Sequence, residues 1–82
     1  MKAIVTVTLK RDVLDPQGEA IRRAAASLGY GAVREVRQGK RFEITLDAQL
    51  DRKAAAALLS ELAEKLLANP VIEDFQVESP QR

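Results

Sequence analysis

An α+β domain with the element order βαββαβ is predicted by three observations. Apolar and polar residues alternate near the start, in the middle and near the end of the chain, two segments carry helical spacing, and Asp15-Pro16 and Asn69-Pro70 punctuate the passages between them. In the first strand Ala3, Val5, Val7 and Leu9 share one parity, while Lys2, Thr6 and Thr8 share the other. Ile4 falls on the polar parity, which points to partial cover of the outer face, as where two sheets pack in an oligomer.

The first helix starts at Leu14-Asp15-Pro16-Gln17-Gly18. Asp15 can accept a hydrogen bond from the free amides of the first turn, and Pro16 at the first helical position gives up only a donor that has no partner there. Ile21, Ala24, Ala25 and Leu28 then recur at helical spacing, and Gly29 supplies the left-handed residue that closes the helix, so it spans residues 16–28. Ala24, Ala25 and Ala26 are small enough to let the helix approach a sheet, with Glu19, Arg22 and Arg23 left to solvent.

Gly29-Tyr30-Gly31 turns the chain into a second extended region, residues 33–36 or slightly beyond, and Phe42, Ile44 and Leu46 then alternate with Arg41, Glu43 and Thr45. Gln38-Gly39 reads either as a tight hairpin turn or, with Gly39 as a bulge, as part of one long bent strand. Val33 and Val36 have opposite parity, so only one can face the core unless a bulge intervenes. From Asp51 the chain is dense in strong helix formers. Ala55, Leu58, Leu59, Leu62 and Leu66 form an apolar stripe, Glu61 and Lys65 pair four residues apart, and the helix is expected to end near Ala68, before Asn69-Pro70. Val71, Phe75 and Val77 share the parity of Glu73 in a last strand, and residues 79–82 are expected to fray. These elements predict a ferredoxin-like four-stranded antiparallel sheet with both helices on one face and the open sheet face used in oligomerisation.

With 82 residues, the chain is read as one domain, 1–82, whose thin core gains from association into a homo-oligomer, a dimer or a dimer of dimers. Its 13 basic and 12 acidic residues are interspersed, which disfavours a nucleic-acid partner. No apolar leader and no long apolar run is seen, so no membrane partner and a cytoplasmic location are expected. The chain has no His, Cys or Trp. That composition excludes an imidazole-activated nucleophile, a thiolate nucleophile and a His/Cys zinc site. Asp12 with Asp15, and Glu73 with Asp74, are the remaining carboxylate pairs, but a helix cap and the flank of a short strand suit their spacing better. No catalytic, cofactor-binding or metal-ligating residue is therefore assigned.

The runs Val7-Thr8-Leu9-Lys10, Val13-Leu14-Asp15-Pro16-Gln17-Gly18, Leu28-Gly29-Tyr30, Val36-Arg37-Gln38-Gly39-Lys40 and Leu66-Leu67-Ala68-Asn69-Pro70-Val71-Ile72-Glu73-Asp74-Phe75 carry a resemblance in their order and spacing. Across nearly the whole chain they resemble the small PurS-type subunit of phosphoribosylformylglycinamidine synthase. The resemblance implies a noncatalytic member of a three-component glutamine amidotransferase in de novo purine synthesis. It bridges a glutaminase subunit and a large synthetase subunit and assists ammonia transfer. ATP and magnesium are expected in that partner synthetase, and no cofactor on this chain. Carried over, Asp15, Pro16 and Gly18 serve helix initiation, and Asn69 and Pro70 serve helix termination. Gln17, Arg37, Gly39 and Lys40 are the candidate partner contacts; a charged edge or turn that discourages sheet aggregation accounts equally for the last three.

Two rival readings have stated grounds. An ACT-type small-ligand-sensing regulatory domain shares the βαββαβ order and a glycine-containing loop after the first strand. An RNA-recognition sheet would need stacking aromatics, but Tyr30, Phe42 and Phe75 include no adjacent pair on a strand.

Overall fold

The structure, a computed structural model, describes residues 1–78, and the expected fraying of residues 79–82 lies outside them. Strand β1 (Lys2–Leu9) is followed by helix α1 (Pro16–Ser27), strand β2 (Gly39–Thr45), helix α2 (Arg52–Leu62), a π-helical turn at Ala63–Leu67 and strand β3 (Glu73–Val77). The sheet has three antiparallel strands in the order β2-β1-β3, not the four expected from the alternation. The missing strand is residues 33–36. Within that segment the Val33 N–H bonds the Tyr30 carbonyl at 3.1 Å, and just beyond it the Gln38 N–H bonds the Asp15 carboxylate at 2.7 Å. Neither a hairpin nor one long bulged strand forms at Gly39, which instead opens β2. The ACT-type reading rested on the βαββαβ order and loses that ground.

Central strand β1 fixes the register for both neighbours. Val5 lies opposite Phe42 on one side and Val77 on the other, and Val7 opposite Phe75. Alternation therefore gathers Ala3, Val5, Val7, Phe42, Ile44, Phe75 and Val77 on one face, against Leu59, Ala63, Leu67 and Ala68 of the second helical segment. Val5, Leu59 and Ala63 have no exposed surface. The opposite face presents Lys2, Thr6, Thr8, Arg41, Glu43, Thr45, Asp74 and Gln76, with Ile4 its apolar member.

Helix α2 is capped by Asp51, whose carboxylate accepts from the Ala54 amide at 2.7 Å. Its apolar stripe differs from the expected one. Ala55, Leu59 and Ala63 are buried and Leu67 is half-buried, while Leu58 and Leu66 are exposed. Buried positions thus recur every four residues, and the π-turn, whose Ala68 N–H reaches the Ala63 carbonyl at 2.8 Å, sustains that spacing by accommodating an extra residue. A uniform α-helix would have turned Leu66 inward; here Leu67 takes its place.

Helix α1 departs most from the expected layering. Its small alanines do not bring it onto the sheet: it packs broadly against neither the sheet nor α2, and Gly18 alone of its twelve residues is buried. The radius of gyration is 16.3 Å, against about 12 Å for a compact chain of this length. The helix ends as predicted. Gly29 has φ +94°, the Tyr30 N–H reaches the Ala25 carbonyl at 2.9 Å and the Gly29 N–H reaches that of Ala26 at 3.1 Å, which together close a Schellman motif. Helix α1 and the segment returning from it form an arm joined to the sheet through a narrow neck.

Candidate functional site: the neck and the arm

The neck brings together three segments that are remote in sequence. Asp15 and Gly18 come from the start of α1, Val36 to Lys40 from the returning chain, and Asn69 to Asp74 from the turn into β3. One oxygen of the Asp15 carboxylate accepts from the Gly18 N–H at 2.9 Å, and the other accepts from the Gln38 N–H at 2.7 Å. These two amides hold its proton affinity below the ordinary carboxylate range; the positive charge of Arg37 adds to them, and burial opposes them. A carboxylate so engaged stays ionised near neutral pH. It is poorly suited to general acid or base chemistry, which needs a proton affinity near the working pH.

Gly18 is where it is because nothing larger fits. A Cβ there would stand 2.0 Å from the Val36 carbonyl oxygen. Gly39 has a similar constraint against the central strand, with a Cβ placed 2.7 Å from the Val7 carbonyl oxygen. Exposed links complete the neck. The Gln38 side-chain amide donates to that of Gln17 at 2.5 Å, the Arg37 guanidinium donates to the Lys10 carbonyl at 2.9 Å, and Arg11 lies 3.5 Å from Glu35.

Lys40 extends the junction to β3, its ammonium 3.9 Å from the Glu73 carboxylate. Glu73 also accepts from the Asn69 N–H at 2.7 Å, and Asn69 in turn accepts from the Val71 N–H at 3.1 Å, so the Asn69-Pro70 stop is tied to the strand it precedes. A cleft of about 230 Å³ lies between Pro16, Gln17, Gly39, Lys40 and Glu73. A second, of about 410 Å³, lies beyond Glu73 and is bordered by Pro70 and Lys10. The sequence-predicted residues Asp15, Pro16, Gln17, Gly18, Arg37, Gly39 and Lys40 therefore meet in one place, with Asn69 and Pro70 adjoining through Glu73.

Gln38, Glu73 and Lys10 belong to this junction and were not singled out as site residues. Glu73 had a readable signal, an acidic residue on the inward parity of an apolar strand. Lys10 pairs with Asp74 at 3.2 Å, which no local pattern announces. Among the described residues no cluster of three or more carboxylates could hold a metal ion, and no helix is long and apolar enough to cross a membrane.

Fold and site define a small α+β subunit whose distinctive residues shape backbone and present an apolar arm. Comparison with known proteins makes the class specific. The family described as PurS, phosphoribosylformylglycinamidine (FGAM) synthase, matches residues 2–81. The phosphoribosylformylglycinamidine synthase subunit PurS of Mycobacterium leprae is 46% identical over 76 residues, covering 93% of this chain and 91% of the relative. That of Bacillus subtilis is 48% identical over 80 residues, covering 94% and 89%. Among solved structures, PurS of Methanocaldococcus jannaschii superposes with a TM-score of 0.87 at 36% identity, covering 99% of this chain and 96% of that one. A chain of the PurLQS structure from Thermotoga maritima superposes at 0.83 with 30% identity, covering 96% and 95%. The chain belongs to the PurS family, the small noncatalytic subunits of phosphoribosylformylglycinamidine synthase.

Proposed function

We propose that this chain associates with itself, as a dimer or a dimer of dimers, and bridges a glutaminase subunit to a large synthetase subunit that uses ATP and magnesium, in the cytoplasm. The uncovered apolar side of the arm carries this reading. Ile21, Leu28, Tyr30 and Val33 are exposed on it, and Leu14 at its base is 88% exposed. Large apolar side chains left exposed together on one small element point to an association site. The open sheet face supports self-association less well, because its side chains are mostly charged or hydroxylated.

The need for a bridging subunit follows from the chemistry of the transferred group. Ammonia released into water near neutral pH is mostly protonated, and ammonium has no lone pair with which to attack an activated amide. A subunit that aligns the two enzymes and excludes water where they meet meets that need by positioning alone. Gln17, Gly39 and Lys40 border one cleft of the neck and Arg37 another, and the four are the candidate contacts with the large partners.

The reading is tested by reconstitution. The isolated chain should show neither glutaminase nor ATPase activity, and adding it to the two large subunits should restore amidine formation from glutamine far more than from ammonium salts. Equal stimulation with both nitrogen sources would overturn the transfer role.

A further inference from the structure

We infer that Asp15 is the positioning residue that sets the direction of the α1 arm, by holding the outgoing and returning chains of the neck on the two oxygens of one carboxylate. Capping a helix takes only the bond to Gly18. The bond to Gln38 crosses 23 residues of sequence to the segment that comes back from the arm. Asp51 shows the difference: it caps α2 with one recorded side-chain bond, to Ala54, and is exposed. Asp15 is 9% exposed, although the helix that it caps has a single buried residue.

The other polar links across the neck, Arg37 to Lys10, Gln38 to Gln17 and Arg11 to Glu35, are exposed. Links of that kind compete with water and contribute little each. The Asp15–Gln38 bond is charge-assisted and partly buried, and such a bond holds geometry better. Close packing of Gly18 on the Val36 carbonyl brings the two chains together but does not fasten them. Fixing the arm before association lowers the ordering cost of binding. That consequence rests on the arm being an assembly surface; the tie itself rests on the neck geometry alone.

Asp15→Asn separates cap from tie. Its carbonyl oxygen can still accept from Gly18, but its amide group is a donor facing the Gln38 N–H. Residue-resolved hydrogen exchange on the full chain should show the Gln38 amide exchanging roughly tenfold faster, with β1 amides little changed. Self-association measured by sedimentation in the same buffer should weaken. Unchanged protection at Gln38, or an equal loss of protection throughout β1, would overturn the proposal. A loosened neck with undiminished self-association would uphold the tie and refute the arm as the association surface. Asp15→Ser, which also caps helices but has a single side-chain oxygen, should reproduce the Gln38 effect if the asparagine variant folds poorly. Asp51→Asn should leave Gln38 protected, and loss of that protection would overturn the proposal.

Discussion

Replacing Gly39 by alanine sets two physical effects of opposite sign against each other. Alanine lowers the conformational freedom of the unfolded chain, which in an unconstrained strand stabilises by about 0.5–1 kcal/mol. The new Cβ, however, would sit 2.7 Å from the Val7 carbonyl oxygen and 2.9 Å from the Thr8 methyl. Thr8 is exposed and its side chain can rotate, but Val7 belongs to the central strand, is 1% exposed and is held in the core cluster with Leu59. Its carbonyl cannot recede without moving the packed core, and such overpacking costs about 1–3 kcal/mol. The two effects leave a destabilisation of about 0–2.5 kcal/mol, centred near 1 kcal/mol, and at that centre Tm falls by roughly 4–8 °C for a domain of this size. Thermal unfolding followed by circular dichroism, at one fixed protein concentration because association shifts apparent stability, gives the value. Gly31→Ala is the internal control, since its Cβ would meet nothing within 4 Å. It should leave Tm unchanged or slightly raised. A Gly39→Ala variant as stable as the parent would show that the strand spacing at Thr8–Gly39 yields freely, and the steric account of this glycine would fail.

Leu59→Ala should cost about 2–5 kcal/mol, because it opens a cavity beneath Val5 and Val7. Leu66→Ala should change stability by less than about 0.5 kcal/mol; urea titration of both tests the one-residue shift introduced by the π-turn. Asp15 and Glu43 titrate below their ordinary values when folded, Asp15 through the Gly18 and Gln38 amides and Glu43 through Arg41. Their contribution to stability is therefore complete above the unfolded carboxylate value of about 4 and is lost as pH falls through the depressed folded values. Asp15→Asn should flatten that acid limb in a pH series of unfolding curves, and an unaltered limb would assign the loss to other carboxylates. Ile21→Glu with Leu28→Glu should lower the oligomeric mass seen by light scattering while far-ultraviolet circular dichroism stays constant; an unchanged mass would move the association surface elsewhere.

Local chemistry was legible where it acts on near neighbours. The alternation of Ala3, Val5 and Val7, the Asp15 cap and the Gly29 closure all depend on residues within a few positions, and all are present in the fold. The failures required knowledge of distant partners. Val33 and Val36 look like a strand, yet a strand exists only if another offers its edge, and neighbouring backbone groups of that segment bond to Tyr30 and Asp15 instead. Their opposed parity was the readable symptom. Helical spacing turns Leu66 inward only where a uniform 3.6-residue period holds, and this stretch contains a π-turn. Helix α1 has an apolar face suited to burial, but periodicity states only that the face should be covered, not by which chain. The candidate site was legible as residues and illegible as a place, since the pairing of Asp15 with Gln38 and of Lys40 with Glu73 arises only when the chain returns across β1.

Glycines 18 and 39 show how such a site differs from an active site built on comparable residues. In an enzyme, close backbone approach typically makes room for a ligand and leaves amides directed at it. Here the Gly18 and Gln38 amides are directed at Asp15, and the space a side chain would fill at Gly18 and Gly39 is taken by the Val36 and Val7 carbonyls. The donors are spent internally, on the angle between arm and sheet. A residue pattern can therefore be highly specific while contacting no substrate, because what it specifies is the relative placement of two surfaces. That is the property the proposed bridging role requires, since a subunit that works by positioning alone must fix the geometry of the groups it brings together.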